Sequence, residues 1–454
     1  MIKRVRVKGY KSLEDVEVTL QPLTVFIGPN AAGKSNLFDA LGLLSRMVTS
    51  NTLNEAFEKH RGAPLEAFQF GEKGLQSLLD RGSAQFSIEV DVQLSRDVID
   101  VVEKRLQQLR TKSTPETPSS DAQPEDRVLE NHLRYSLTVE VEVAARTGQL
   151  SVIHENLTAL TPEKDIYPFI EIADGKTVLR DWVPIDENDA RKDVLTTVYS
   201  GAEKNFTLAS ASLRRYPFNV HIAAFCEELS RWRFYYFEPA AMREKSALRP
   251  ATSLEPSGRD LAAYFNYLKA ESPAQFDAMN RALHLLIPRV DGIDVQVTSD
   301  GYLQLYVIED GVPFPASIVS EGTLRVLGLL AVTNSLSPVS VVGYEEPENG
   351  VHPARMRLLA KLLANAADPA RGRQILVNTH SPLMPSYILD ELMPPLSKEG
   401  LVVNCRREGR ATRFEPVEVS GPLFFGDDLD ETIDDAYLPE TSLVERILRG
   451  DFGG

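Results

Sequence analysis

A short glycine-rich segment near the start of the sequence constrains the fold more than any other feature. An apolar run, LTVFI at 23–27, leads directly into GPNAAGKS at 28–35, and the helix-like KSNLFDALGLLSRMV follows. The two glycines, the lysine and the serine have the spacing of the P-loop pattern, G-x-x-x-x-G-K-[ST]. Such glycines let backbone N–H groups curl around phosphate oxygens, and the helix start adds the positive end of its dipole. The sequence therefore predicts a strand, a phosphate-binding loop and a helix, in that order.

Each position of this loop has a predicted role toward a nucleotide. Lys34 would bridge the β- and γ-phosphates of ATP, and the Ser35 hydroxyl would bind Mg²⁺. The residues expected to contact the nucleotide are Asn30, Ala31, Ala32, Gly33, Lys34, Ser35 and Asn36. The alternative, a chance glycine turn, leaves the flanking strand and helix patterns without an explanation.

A second apolar run, VSVVGY at 339–344, ends on two acids, Glu345 and Glu346. Buried strands that end on acids present them at the carboxyl edge of an α/β sheet, where ligands bind. Glu345 is then the predicted Mg²⁺ ligand, directly or through water. Glu346 is the predicted general base that orients and deprotonates the attacking water. The simpler alternative is an acidic helix start, because carboxylates favour a helix N-terminus.

Two further segments carry polar groups at the ends of apolar elements. RQILVNTH at 373–380 ends on His380, which can hydrogen-bond a γ-phosphate; a structural cap at a strand end is the alternative. Ser320 and Gly322 open the helical EGTLRVLGLLAV, and such a helix start forms an anion site. There the alternative is an ordinary N-cap, in which Ser320 accepts hydrogen bonds from first-turn amides.

The chain reads as an α/β protein in three parts. Residues 1–50 and 290–454 alternate strands and helices and form a split head, while 51–289 form an inserted β-rich and helical region. The period-two patterns FSIEVDVQL and LRYSLTVEVEV predict antiparallel sheet with one covered face. The Pro/Ser/Asp-rich stretch at 111–127 predicts a flexible surface loop. No heptad run long enough for a coiled-coil arm is present.

Composition limits the classes of partner. The net charge is −16, so nucleic acid can bind only at a local basic patch. The candidate patches are residues 3–11, 213–218 and 406–413. Basic clusters of this kind are more often solvated strand edges or loops than binding sites. Cys226 and Cys405 lack CxxC spacing, which fits a reducing compartment. We expect no signal peptide, no membrane partner and a cytoplasmic location, because no run is long and apolar enough to span a bilayer.

Taken together, these motifs resemble the ABC-type ATPase heads of the RecF, SMC and OLD-like group. VKGYKSLEDVEVTLQPLTVFIGPNAAGKSNLFDAL resembles the N-terminal signature of that group, and SEGTLRVLGLLA its signature motif and helix. GYEEPENGVHPARM resembles its Walker B strand and D-loop, and VNTHSPLM its histidine switch. Glu345 stands where many relatives have Asp, and Glu321 stands where many ABC proteins have Gly. The Q-loop glutamine has three candidates, Gln69, Gln76 and Gln85.

The resemblance implies a P-loop fold of ABC type, a mixed sheet with helices plus an antiparallel lobe, and a head-to-head dimer around two ATP molecules. In one chain, a signature helix and a P-loop that seek the same γ-phosphate are satisfied symmetrically by two copies. Ser320 and Gly322 would then complete the site of the partner. ATP would hold the dimer together, and hydrolysis would release it.

The segment between Ser35 and Ser320 limits the classes of ATPase that the chain can resemble. Ser320 lies 285 positions after Ser35, and SMC-like proteins fill that gap with a coiled-coil arm, whereas strands and a loop are expected here. The acidic stretch at 426–435 is typical of a solvated tail rather than of a TOPRIM nuclease. We therefore expect a slow, dimer-dependent ATPase that controls a separately encoded effector, a nuclease or toxin, as in bacterial anti-phage systems. The alternatives are a RecF-like DNA-binding repair ATPase and an ATP-bound scaffold with little turnover.

Overall fold

The computed structural model describes residues 1–70, 74–113, 127–143, 148–160, 168–173, 176–184, 191–200, 205–215, 219–392 and 400–417. Its strands are β1 (Ile2–Tyr10), β2 (Leu13–Thr19), β3 (Leu23–Ile27), β4 (Ser83–Gln93), β5 (His132–Glu142), β6 (Gln149–Ala159), β7 (Pro168–Ala173), β8 (Lys176–Pro184), β9 (Arg191–Ser200), β10 (Trp232–Tyr235), β11 (Ser246–Ala247), β12 (Val290–Val297), β13 (Tyr302–Glu309), β14 (Val312–Pro315), β15 (Val341–Glu345), β16 (Gln374–Asn378), β17 (Gly400–Glu408) and β18 (Ala411–Pro416). Its α-helices are α1 (Lys34–Thr49), α2 (Leu53–Glu58), α3 (Leu75–Arg81), α4 (Arg96–Ser113), α5 (Leu208–Arg215), α6 (Val220–Ser230), α7 (Pro239–Met242), α8 (Leu261–Glu271), α9 (Pro273–Leu286), α10 (Glu321–Thr333), α11 (Met356–Ala366) and α12 (Leu383–Leu392).

A six-stranded mixed sheet forms the central layer, in the order β10-β15-β16-β3-β17-β18. Every neighbouring pair is parallel except β17 and β18. The central strands are almost continuous apolar runs, which is typical of parallel strands covered on both faces. Alternate residues enter two separate cores: Phe26 and Leu376 pack on one face, and Val25 and Val377 on the other.

The second large sheet is antiparallel throughout, in the order β2-β1-β4-β5-β6-β7-β8-β9. Burial alternates along β5, so every second side chain enters the core that also holds α1. This alternation is expected for a sheet with one covered face. A third, smaller sheet has the order β11-β13-β12, with β14 on β13, and packs with α8, α9 and α10 in the other core.

The main elements read from the sequence are confirmed. The α/β class, the mixed sheet and the antiparallel lobe are all present. The division at residues 50 and 290 stays a prediction, and strand pairing crosses both positions: β1 pairs with β4, and β10 with β15. Of the expected loop at 111–127, residues 111–113 end α4 and 114–126 lie outside the described residues, as does the acidic stretch at 426–435.

One buried side chain joins the two large sheets. Gln374 begins β16 in the mixed sheet, and its Oε1 accepts a hydrogen bond from the Ile2 N–H of β1 at 2.8 Å. Its Nε2 donates to the Ile2 carbonyl at 2.8 Å and to the Gln21 carbonyl at 3.0 Å. Because Gln374 is only 1% exposed, no solvent replaces these partners.

We expect Gln374→Leu to lower the free energy of unfolding by about 2–4 kcal/mol, because each backbone group left buried without a partner costs roughly 1–3 kcal/mol. Urea titration followed by circular dichroism measures the change. The matched control is Gln296→Leu on the exposed surface of β12, which should change stability by no more than about 0.5 kcal/mol. Equal unfolding midpoints for the two variants would contradict the role of Gln374 as a link between the sheets.

Candidate functional site

The glycine-rich segment forms a tight loop between β3 and α1. The φ angles of Gly28, Ala31 and Gly33 are 137°, 62° and 105°, so the chain turns repeatedly in the region that favours glycine. A Cβ at Gly28 would lie 2.0 Å from the carbonyl oxygen of Cys405 in β17. That position therefore requires glycine for space as well as for its backbone angle. The backbone of β17 contacts one side of the loop, and the tip of the loop is exposed.

One residue of β17 and one of β18 donate hydrogen bonds to the backbone of the loop. Thr412 Oγ1 donates to the Ala32 carbonyl at 2.9 Å, and Cys405 Sγ donates to the same oxygen at 3.3 Å. Burial raises the pKa of the Cys405 thiol to about 12, which keeps it protonated as a donor. Neither residue was predicted, because no local motif indicates that its side chain contacts a loop more than 370 positions earlier in the chain.

Lys34 is the first residue of α1 and turns back into the loop. Its Nζ donates to the carbonyls of Gly28 and Pro29, at 2.6 and 2.8 Å. Burial lowers the pKa of the Lys34 ammonium. The ammonium therefore lies at the centre of the loop, where a phosphate would replace carbonyl oxygens as its partner.

The other predicted loop residues divide into an exposed tip and a buried base. Asn30 and Ala31 are exposed at the tip, and Ala32 is buried. Asn36 Nδ2 donates to Ser12 Oγ at 2.8 Å, which ties the helix start to the turn between β1 and β2. Asn36 thus has a structural partner in this chain, whereas the tip residues remain accessible to a ligand.

Three segments of the chain meet at the Ser35 hydroxyl. Ser35 Oγ donates to Glu345 Oε2 at 3.0 Å and accepts from Asn378 Nδ2 at 3.1 Å. Burial raises the pKa of the Glu345 carboxyl, while Arg61 beside it acts in the opposite direction. A hydroxyl and a carboxylate are the oxygen ligands that Mg²⁺ prefers, so this pair fits a magnesium ion held together with phosphate oxygens.

Arg61 was not predicted and contacts the same carboxylate. Its Nη1 donates to Glu345 Oε1 at 2.9 Å and to Oε2 at 3.2 Å. The guanidinium also stacks on Tyr236, with its central carbon 3.7 Å from the ring centroid. Arg61 follows α2 in a segment without a recognisable motif, so no local pattern indicates that it faces a strand end 284 residues away.

Glu346 and His380 form a pair at the edge of the mixed sheet. His380 Nδ1 lies 3.2 Å from Glu346 Oε1, and Asn349 Nδ2 donates to the other carboxylate oxygen. Glu346 has a φ of 48°, and its N–H donates to the Asn378 carbonyl at 2.7 Å. Both side chains are about two-fifths exposed, so they are open to a water molecule or a phosphate. The sequence predicted both residues, and the structure places them together.

A buried pair lies directly beside them. Thr379 Oγ1 donates to Glu348 Oε1, and Glu348 is only 4% exposed. Burial raises the pKa of the Glu348 carboxyl. Because Thr379 precedes His380 and Glu348 follows Glu346 by two positions, this contact fixes the two catalytic candidates relative to each other. No local sequence motif indicates this contact.

Ser320 and Gly322 occupy the start of α10. Ser320 Oγ accepts a hydrogen bond from the Thr323 N–H at 3.2 Å, so the predicted alternative, an ordinary N-cap, is present. A Cβ at Gly322 would lie 2.0 Å from the carbonyl oxygen of Gly350. The helix start therefore packs on the segment after Glu346. Among the described residues, no hydrogen bond or ion pair joins Ser320 or Gly322 to the loop at 28–36.

Among the described residues, no side-chain hydrogen bond joins any of the three glutamine candidates to the site. Gln76 Nε2 donates to Asp80 at 2.8 Å, and Gln85 Nε2 donates to Glu140 at 3.0 Å. The backbone N–H of Gln69 donates to the Gly9 carbonyl at 2.9 Å.

Comparison with known proteins identifies the family. Residues 23–384 match the family described as "AAA domain, putative AbiEii toxin, Type IV TA system". The chain belongs to this family. The match begins at β3 and ends four residues after His380, so it includes every predicted site residue. The fold is accordingly that of a P-loop ATPase of the AAA/ABC type.

Short matches relate the family member to two curated proteins. The OLD nuclease of Thermus scotoductus (strain ATCC 700910 / SA-01) is 46% identical over 44 residues, 10% of this chain and 8% of that protein. The DNA replication and repair protein RecF of Corynebacterium jeikeium (strain K411) is 34% identical over 62 residues, 13% of this chain and 15% of that protein. The chain therefore matches only a small part of either relative.

Two solved structures of SMC heads align with most of the chain. The SmcHead bound to the C-winged helix domain of ScpA is 11% identical, with a TM-score of 0.49, over 92% of this chain and 98% of that one. The SMC head domain from Thermotoga maritima is 13% identical, with a TM-score of 0.39, over 92% of this chain and 99% of that one.

In the part of this chain that the structure describes, no helix is both long and apolar enough to cross a membrane.

Proposed function

We propose that the protein binds ATP with Mg²⁺ at the loop and hydrolyses it. The observation that carries the proposal is the meeting of Ser35, Glu345 and the Glu346–His380 pair at one edge of the mixed sheet. Lys34 and the loop N–H groups would bind the β- and γ-phosphates. Ser35 and Glu345 would hold Mg²⁺, which neutralises phosphate charge when bound.

In this proposal the Glu346 carboxylate accepts a proton from the attacking water. His380 is within hydrogen-bond distance of that carboxylate, so it can orient Glu346 and donate toward a γ-phosphate oxygen. Asn349 donates to the second carboxylate oxygen and thereby limits rotation of Glu346. The left-handed backbone of Glu346 supports a functional role, because strained residues cluster at active sites.

We further propose that two copies complete each site. Among the described residues, no hydrogen bond or ion pair joins Ser320 or Gly322 to the loop of their own chain, yet a helix start of this kind can bind an anion. A two-fold arrangement would place each helix start against the nucleotide of the other copy. Gly350, packed on Gly322, lies in the segment that follows Glu346, so dimer contact and the catalytic pair are physically linked.

We propose that ATP hydrolysis controls a separately encoded nuclease or toxin in anti-phage defence. Its support is the family, whose description names a toxin, together with the strands that fill the region between Ser35 and Ser320. A RecF-like role in DNA repair has the short RecF match in its favour. Against it, Arg4, Arg6 and Arg406 of the basic clusters pair with acids on neighbouring strands.

We expect Glu346→Gln to lower ATP turnover about 10²-fold or more, because a general base contributes roughly 10²–10⁴. Nucleotide binding should persist, since the loop is unchanged, whereas Lys34→Ala should lose it. Phosphate release measures turnover, and equilibrium dialysis with radiolabelled ATP measures binding. Glu271→Gln, an exposed acid at the end of α8, is the matched control. Wild-type turnover as slow as that of Glu346→Gln would favour an ATP-bound scaffold instead.

Mixing two inactive variants tests the shared site. Ser320→Arg should bind ATP but not hydrolyse it, and Lys34→Ala should do neither. An equimolar mixture should regain up to about a quarter of the wild-type rate, since half of randomly paired dimers are mixed and each has one intact site of two. Normal hydrolysis by Ser320→Arg alone would rule out the two-copy arrangement.

The effector proposal predicts a stable partner encoded beside this gene. Expression of the tagged chain together with its neighbouring genes should yield a stoichiometric complex that survives size-exclusion chromatography. The nuclease or toxin activity of that complex should change in Glu346→Gln, while Glu271→Gln leaves it unchanged. A chain that purifies alone in the presence of all adjacent gene products would contradict this role.

A further inference from the structure

A cavity of about 650 Å³ lies beside α1, separate from the loop at 28–36. Residues of α1 from Phe38 to Thr49 line it on one helix face, over about three turns. Glu345 and Arg61 line one part of it, and the edge strand β10 supplies another wall. A cavity of this size accommodates a small organic molecule.

A glycine on the wall gives the cavity room. Gly42 lies in the interior of α1, where glycine costs about 1 kcal/mol of helix stability relative to alanine. A Cβ there would lie 3.4 Å from Arg46 Nη1 and 3.5 Å from a ring carbon of Phe234. Gly42 therefore leaves space in which the Arg46 side chain folds back along the helix.

Arg46 lines the cavity with a partly uncompensated charge. Its Nε donates to the Ala56 carbonyl at 2.9 Å, but Nη2 is buried and has no partner among the described residues. None of the ion pairs among those residues includes Arg46. Burial lowers the pKa of the Arg46 guanidinium. The Asp39 carboxylate attracts the guanidinium without forming an ion pair with it, and Asp39 is itself paired with Lys11 and His60. An anionic ligand beside Arg46 would lower the remaining cost of burying this cation.

The remaining walls suit a flat ring. Phe38, Phe234 and Tyr236 line the cavity, and such side chains bury planar groups by stacking or edge contacts. Trp232 also lines it, and its indole Nε1–H is buried without an acceptor among the described residues. The lining thus combines aromatic surface with two residues, Arg46 and Trp232, that each carry a buried donor without an acceptor among the described residues.

We propose that this cavity is a second ligand site, for a small planar molecule that carries one carboxylate or phosphate group. Arg46 binds the anion, and the aromatic walls contact the ring. Tyr236 lines the cavity and stacks on Arg61, which in turn contacts Glu345. Occupancy would therefore change the position of Arg61 and the rate at the nucleotide site. The binding step stands by itself; only this second effect rests on the proposed ATPase function.

Binding can be read from Trp232. The chain has two tryptophans, so Trp182→Phe leaves Trp232 as the only one. Phenyl phosphate and benzoate are the probes, and phenol is the uncharged analogue with the same ring. We expect a saturable change in Trp232 fluorescence with at least one of the two anions, and at least tenfold weaker binding of phenol. The two anions distinguish a phosphate from a carboxylate ligand.

Variants locate the site. Arg46→Gln should weaken binding at least tenfold, Arg46→Lys less, and Arg289→Gln, which replaces a guanidinium outside the cavity, not at all. Lys34→Ala should bind normally, which excludes the phosphate loop as the source of the signal. If Arg46→Gln does not fold, Gly42→Ala, which favours the helix, should weaken binding by placing a methyl group against Arg46. No saturable response to either anion, or equal binding by Arg46→Gln, would overturn the proposal.

The effect on turnover is a separate measurement. The bound anion should change the ATPase rate of the wild type at least twofold, and Arg61→Gln should lose this response while it retains the fluorescence change. A fluorescence change without any response of the rate would overturn the link through Arg61 and leave the binding site standing. A protein without ATPase activity would still show the fluorescence change, so the two proposals fail independently.

Discussion

The hydrogen bond from the Ser35 hydroxyl to Glu345 is the contact on which the candidate site depends. It joins residues 310 positions apart, and Asn378 from a third segment donates to the same hydroxyl. These groups meet because β3, β15 and β16 are parallel and in register, so their carboxyl ends share one edge. The hydrogen bond from the Glu346 N–H to the Asn378 carbonyl extends the same register to the Glu346–His380 pair. A slip of one residue in any of the three strands would separate the groups that follow it from those of the other two strands.

The sequence predicts those parts of the fold that local patterns encode. Uninterrupted apolar runs indicate strands covered on both faces, and alternation indicates the antiparallel sheet. The four-residue β10 was not predicted, although it pairs with β15 at the edge of the mixed sheet. Its four residues, WRFY, are too few to establish a period. Its position is set by packing on β15 and α1, and single-sequence patterns do not carry that information.

The same distinction applies to the site. Lys34, Ser35 and Glu345 belong to motifs whose chemistry requires those residue types at those positions. Arg61 and Cys405 act on the motif residues from segments without a motif, so only the three-dimensional arrangement reveals them. Motifs therefore predict which groups touch a nucleotide, whereas the residues that support or compete with those groups are found only through the fold.

Arg61 shows why such residues matter. In this structure its guanidinium neutralises Glu345, the carboxylate that the motifs assign to a metal. Two cations on one carboxylate repel each other, and the repulsion is strong where solvent is largely excluded. Arg61 and a metal ion would therefore compete for the charge of the Glu345 carboxylate. The face of Tyr236 already stabilises the guanidinium on its other side, so Arg61 can withdraw from Glu345 without losing every partner. The contact with Glu345 and the stacking on Tyr236 thus share one guanidinium, which connects the candidate site to the cavity beside α1.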